Sequence, residues 1–221
     1  VISETTRTLC ARVAAASRHL GDLGLFIGSA GNVSARDADL VAITASGTVL
    51  GEAGVDDITV VNLTGDIVAG NHRPSSEIEL HLGVYRQPQF TGINAVVHTH
   101  SRFATAVAVV CDELPVIHYQ QLGLGGSLRV APFETFGTEA LATAVHSALD
   151  GRLGALMANH GAVALGSDLD KAVDNAALLE WLCELYWHAH ALGTPRTLND
   201  AQQLAVIEHA LRIRYGQKDT P

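Results

Sequence analysis

Four side chains in this sequence have the types and spacing to bind a transition metal. His98 and His100 stand in the stretch Asn94–Ser101, N-A-V-V-H-T-H-S. The apolar run Ala95–Val97 reads as a buried strand, and side chains alternate faces along a strand, so the two imidazoles project from one face at its end. Ser101 is placed to cap a following helix. Taken alone, an H-x-H pair is more often a hydrogen-bonded surface pair than a ligand set. His160 stands beside Gly161 in A-L-M-A-N-H-G-A-V-A-L (155–165), which reads as one strand broken at 159–161. That histidine is either a satisfied core residue or a third ligand. Glu77 follows P-S-S at the start of an apolar-periodic segment, where a carboxylate also serves as a partner for a helix dipole. Three histidines with a carboxylate nearby are the donor set of a catalytic zinc site, with room left for a substrate.

Two small-residue turns offer anion-binding chemistry. G-S-A-G-N-V-S (28–34) brings backbone N–H groups close to a ligand and adds the Asn32 amide, although a plain turn accounts for it equally well. A-S-G (45–47) is a second such turn. Within the stretch 73–85, Pro74 ends the preceding segment and Ser75 or Ser76 is expected to cap a helix, with Glu77 in its first turn. The free N–H groups of that helix start would add a third anion-binding edge.

The elements that must position these groups are short strands and separate helices. Helices are expected over 3–20, within 73–85, and over 102–110, 137–149 (capped by Thr138), 169–192 and 199–215. Strands are expected over 40–44, 58–63 and 66–69 (a hairpin), 95–100, 114–119, 129–133 and 155–165. Regular βαβ alternation is absent, as are the P-loop and dinucleotide-binding glycine motifs. The pattern therefore predicts an α/β chain of α+β type, with a central, mostly antiparallel sheet flanked by helices. No repeat or linker composition divides residues 1–221, so a single domain is expected.

Composition narrows the function classes. A net charge of −9 over 221 residues argues against a nucleic-acid groove. No apolar run reaches the roughly 18 residues of a membrane span, and no secretory signal is expected from the N-terminus. Three scattered cysteines, Cys10, Cys111 and Cys183, read as reduced thiols of a cytoplasmic protein. Trp181 and Trp187 read as packing or subunit-contact residues. The two lysines, Lys171 and Lys218, fall in a helix N-terminal turn and a tail, which argues against Schiff-base chemistry.

In order along the chain, S-A-G-N-V-S (29–34), T-A-S-G (44–47), P-S-S-E (74–77), A-V-V-H-T-H (95–100), P-V-I-H-Y (115–119), F-E-T-F-G-T (133–138), N-H-G (159–161) and R-Y-G (214–216) resemble the class II aldolase/adducin family. Within it, the I-H-Y, F-G-T and Y-G elements lean towards the L-fuculose-phosphate aldolase branch. Pentulose-phosphate epimerases of the family carry Asp where this chain has Glu77. The resemblance implies the class II aldolase/adducin head fold and a zinc-dependent cleavage of a ketose 1-phosphate of the L-fuculose 1-phosphate type. The products would be dihydroxyacetone phosphate and a short aldehyde.

It further implies one Zn²⁺ per subunit on His98, His100 and His160, with Glu77 as ligand or base. Phosphate-binding positions would be Gly31, Asn32, Ser46, Gly47, Ser75 and Ser76. Tyr119 matches a catalytic tyrosine that reaches a neighbouring subunit's site, and Phe136 and Tyr215 match residues near the aldehyde half. A four-fold homotetramer with active sites at subunit interfaces is implied. The same scaffold carries 4-epimerases, methylthioribulose-phosphate dehydratases or aldolases, sugar-acid phosphate decarboxylases and non-catalytic adducin heads.

Overall fold

The computed structural model describes residues 3–215. In order, the elements are α1 (Glu4–Asp22), β1 (Asn32–Asp37), β2 (Leu40–Thr44), β3 (Ile58–Asn62), β4 (Ile67–Ala69), α2 (Ile78–Arg86), β5 (Ala95–Thr99), α3 (Arg102–Val110), β6 (Glu113–Leu114), β7 (Leu128–Ala131), α4 (Glu139–Ala148), β8 (Gly154–Met157), β9 (Gly161–Gly166), α5 (Leu169–Leu192) and α6 (Asp200–Arg212). The strands form one sheet in the order β4-β3-β2-β1-β5-β9-β8-β7-β6. Among the described strands only β7 and β8 run parallel, and α4 supplies the crossover that a parallel pair requires. This is the largely antiparallel, helix-flanked sheet expected from the pattern.

Strand alternation divides the apolar side chains between two faces. Val33, Ala35, Ala95, Val97 and Ala164 pack with α1 and α5. Val96, Val163, Leu165 and Met157 face the opposite way, towards α2 and α4. α3 and α5 cover Leu128, Leu156 and Ala162 at the β6–β8 end. Each fully buried Leu or Val contributes roughly 1.5–3 kcal/mol by removal from water, which makes these faces hard to exchange. The parity fixes the polar residues as well. Asn32 and Ser34 alternate with Val33 and Ala35, and His98 shares parity with Val96, so all three project towards α2.

The structure corrects several boundaries and caps. β1 was not anticipated, because the glycines ahead of it read as one continuous turn. Asn32 pairs with His98 and Ser34 with Val96 in the β1–β5 ladder. The segment 114–119 is not a strand: β6 stops at Leu114, and Pro115 cannot donate to a ladder. The buried Gln121 amide holds that segment instead, donating to Leu114 and Pro115 carbonyls and accepting from Ile117 N–H. Tyr119 consequently begins a short 3₁₀ turn (Tyr119–Leu124). The broken strand over 155–165 is a hairpin, β8 and β9, joined through Asn159, which takes the left-handed conformation that Asn tolerates.

Neither serine caps α2. Glu77 itself is the N-cap residue and makes no side-chain cap, because its carboxylate turns inward. Ser101 sits at the N-cap of α3, but its hydroxyl accepts nothing there. The Glu180 carboxylate of α5 does that work, accepting from Phe103 and Ala104 N–H at 2.9 and 2.8 Å. Thr138 does cap α4, accepting from Leu141 N–H.

Candidate metal centre

β5 brings His98 to the sheet centre, and His100 follows one residue after the strand. The β8–β9 turn carries His160, and the start of α2 carries Glu77. One ligand-type atom from each of the four lies within 4.8 Å of the others. The three imidazole rings meet edge-on or tilted, with centroids 4.7 to 5.0 Å apart. Glu77 and His98 are buried, while His100 and His160 are partly open. The cluster therefore has a closed back and an accessible front.

Two glycines make the convergence sterically possible. A Cβ on Gly161 would lie 2.0 Å from the Thr99 carbonyl oxygen, so only glycine lets β9 approach β5 where the histidines meet. Gly31, at φ +107°, would drive a Cβ into the Phe26 ring and to 2.9 Å from the His98 carbonyl. It closes the backbone of the 28–31 turn over the strand that carries His98.

The hydrogen-bond logic of the cluster calls for a cation. His98 Nδ1 lies 3.0 Å from the Ala162 carbonyl, which can only accept, so the ring proton sits on Nδ1. Nε2 is then a lone pair facing inward. It lies 3.1 Å from Glu77 Oε2 and 3.0 Å from His100 Nε2. Glu77 Oε1 is buried and has no hydrogen-bond partner among the described residues, although His160 Nε2 is 3.3 Å away. Acceptors converging on one another in a dry site are costly unless a positive charge lies between them. The donor set fits a divalent metal of zinc type.

The protonation tendencies agree with that fit. Burial, together with the neighbouring His98 and His160, holds His100 down to about 3. Burial and then His98 also lower His160. Burial by itself would raise Glu77, but His98, the Asn32 amide and His160 outweigh it and leave the carboxyl well below its ordinary range. The site thus favours neutral imidazoles at His100 and His160 and a carboxylate at Glu77, the forms that coordinate metal.

The small-residue turns assemble beside it. Ala45 and Pro74 form a bridge, Ser46 N–H donates to Arg73 O at 2.9 Å, and Ser75 N–H donates to Thr44 O at 3.1 Å. Ser46 and Gly47 are thereby joined to Ser75 and Ser76. Gly137 packs on the Ser76 backbone, which brings the Phe136 loop to the same edge. Gly31 and Asn32 enter from β1. Asn32, buried, gives one amide proton to Glu77 Oε2 at 2.9 Å, and its second amide proton stays free for another acceptor. Tyr119 and Tyr215 are exposed, and the neighbouring Tyr215 raises the ionisation range of Tyr119.

Sequence reasoning missed three residues behind Glu77: His81, Ser34 and Tyr85. All three are buried and hydrogen-bonded in a row. The spacing of Glu77 and His81, four apart and so on one helix face, was the available signal.

Comparisons with known proteins accord with this geometry. Residues 11–187 match the family described as Class II Aldolase and Adducin N-terminal domain. The chain is 38% identical to a 5-deoxy-D-ribulose 1-phosphate aldolase of Bacillus thuringiensis serovar kurstaki, over 79% of this chain and 82% of that one. It is 34% identical to a 5-methylthioribulose-1-phosphate/5-deoxyribulose-1-phosphate aldolase of Rhodospirillum rubrum, over 87% and 86%. A solved structure of an L-fuculose 1-phosphate aldolase superposes with a TM-score of 0.87 at 32% identity, covering 94% of this chain and 97% of that one.

Proposed function

This chain belongs to the class II aldolase and adducin N-terminal domain family, and from that premise we propose that it cleaves a terminally deoxygenated ketose 1-phosphate. It is an enzyme of the metal-dependent aldolase class. The observation that carries the proposal is the meeting of Glu77, His98, His100 and His160 beside the turns that carry Gly31, Ser46 and Ser75. L-fuculose 1-phosphate and 5-deoxyribulose 1-phosphate, the substrates in the relatives' names, share one end and differ in the other. Both give dihydroxyacetone phosphate; the aldehyde is lactaldehyde from the first and acetaldehyde from the second.

The three histidines would hold one Zn²⁺ per subunit, with Glu77 completing the set at rest and turning away when substrate takes its place. Bound there, it supplies a Lewis acid for the negative charge that builds on the substrate's C2 oxygen. Ser46, Gly47, Ser75 and Ser76, with Gly31 and the spare Asn32 amide proton, bind the C1 phosphate. In the direction of bond formation the Glu77 carboxylate takes the C3 proton and the Tyr119 phenol gives its proton to the aldehyde oxygen. Cleavage returns each proton along the same path, from the C4 hydroxyl to the Tyr119 oxygen and from the Glu77 carboxyl to C3, with no net proton gained or lost. Phe136 and Tyr215 line the aldehyde half.

The working form is a ring-shaped homotetramer in a reducing cytoplasm. Exposed Leu204, Ile207 and Leu211 on α6, next to exposed Tyr215, support a subunit contact there. The three cysteines are free, which supports the compartment. No described helix is long and apolar enough to cross a membrane.

The decisive assay offers each sugar phosphate to the zinc-loaded protein and follows dihydroxyacetone phosphate with an NADH-linked reductase. Release of dihydroxyacetone phosphate that stops on chelation and returns with Zn²⁺ is expected. Epimerised substrate without cleavage, or undiminished activity after chelation, would overturn the assignment.

A further inference from the structure

Behind the metal cluster a row of buried polar groups runs from Glu77 into the core between β1 and α2. Asn32 Nδ2 donates to Glu77 Oε2 at 2.9 Å, so its Oδ1 faces the other way, onto His81 Nε2 at 2.5 Å. His81 Nδ1 lies 2.7 Å from Ser34 Oγ, and Ser34 Oγ lies 2.7 Å from Tyr85 OH. His81 and Ser34 are wholly buried, and Asn32 and Tyr85 nearly so.

The donors in this row can be assigned from one end. Glu77 is a carboxylate and can only accept, which fixes the orientation of the Asn32 amide. Asn32 Oδ1 can only accept, so His81 must carry its proton on Nε2. Burial, with nearby His98, holds His81 down to about 3, so the ring bears that single proton and Nδ1 is an acceptor. Nδ1 then takes the Ser34 hydroxyl proton, and Ser34 Oγ takes the proton of Tyr85. Every bond in the row points towards Glu77, with no donor or acceptor opposed.

We infer that His81 is a positioning residue for the metal site, acting through Asn32 to fix the direction of the Glu77 carboxylate. It touches neither metal nor substrate. Its Nε2–H locks the Asn32 amide, and the locked amide holds Oε2 and leaves Oε1, which lacks a partner among the described residues, aimed at the histidines. Outer hydrogen-bond partners of this kind typically alter metal affinity by about 10–100-fold. The inference rests on reading the cluster as a metal site, and its test separates the two.

Metal-stripped protein is titrated with Zn²⁺ against a chromophoric chelator. Failure of the unmodified protein to bind would overturn the metal reading itself. Given binding, His81→Asn keeps only the partner towards Ser34 and should weaken zinc by about 10–100-fold. His81→Gln keeps a donor at the Nε2 position and should stay within about three-fold of the parent. In an Asn32→Ala background His81→Asn should have no further effect, because the connection is already cut. Equal losses in both backgrounds, or no loss in either, would overturn the positioning role. An independent readout is ¹⁵N NMR of the metal-free parent, where His81 should be neutral with its proton on Nε2; a proton on Nδ1 would also overturn it.

Discussion

An imidazole buried in its neutral form is ready to coordinate metal, and it opposes folding once acid would otherwise protonate it. His81 and His100 are both held to about 3, against roughly 6.5 in an unfolded chain. Between those values the unfolded state binds protons that the folded state refuses, so stability falls as pH falls, by up to about 1.4 kcal/mol per pH unit for each group. Metal-free protein should therefore lose Tm steadily from about pH 6.5 downward, and His81→Gln should flatten part of that slope; an unchanged slope would refute the shift at His81. Ser75 belongs to this scale too. Its hydroxyl accepts from Glu77 N–H at 3.3 Å but caps no helix, so Ser75→Ala should barely move Tm. A hydrogen bond to a charged group contributes about 1.5–3 kcal/mol, so kcat/KM for the phosphorylated substrate should fall about ten-fold or more. Equal losses with an unphosphorylated analogue would remove Ser75 from the phosphate pocket. The convergence of His98, His100, His160 and Glu77 was legible because a His pair two apart at a strand end, a histidine beside a strand-breaking glycine and a carboxylate at a helix start each sit where an element ends. His81 was not, because a histidine inside an apolar helix looks like packing until its neighbours on β1 are known.

At the scale of elements, the site depends on how closely strands approach one another. Gly161→Ala would place a methyl group against the Thr99 carbonyl, and backbone on both sides must shift. Gly123→Ala meets nothing within 4 Å and serves as the control. The first should lower Tm by several degrees and weaken zinc binding, the second should do neither; equal behaviour of the two would mean that the strand approach is not what Gly161 provides. Helices such as Arg102–Val110 and Leu169–Leu192 were legible to the residue, since apolar period and terminal signals agree. β1 was hidden because the glycines before it mask the alternation Asn32-Val33-Ser34-Ala35. The segment 114–119 failed for the opposite reason. Its apolar residues satisfy a strand pattern, while Pro115 and the Gln121 amide satisfy its backbone by another route.

For the whole molecule, the proposed shared site makes a test that no single subunit can pass. Tyr119→Phe and Glu77→Gln should each be nearly inactive, while co-expressed mixed oligomers should regain about a quarter of the sites if neighbours supply Tyr119. No recovery in proven mixed oligomers would return Tyr119 to its own subunit or remove it from catalysis. The placement of the cluster across the sheet has a consequence in time as well. His98 Nδ1 bonds the β9 carbonyl of Ala162, 64 positions away, and contacts of such separation close late in folding. A metal bound across that seam adds contacts that are absent while the barrier is being crossed. Zn²⁺ should therefore slow unfolding and leave the refolding rate unchanged, displacing only the unfolding arm of a denaturant chevron. Equal displacement of both arms would mean that β5 and β9 meet early, and that the metal guides folding rather than locking its product.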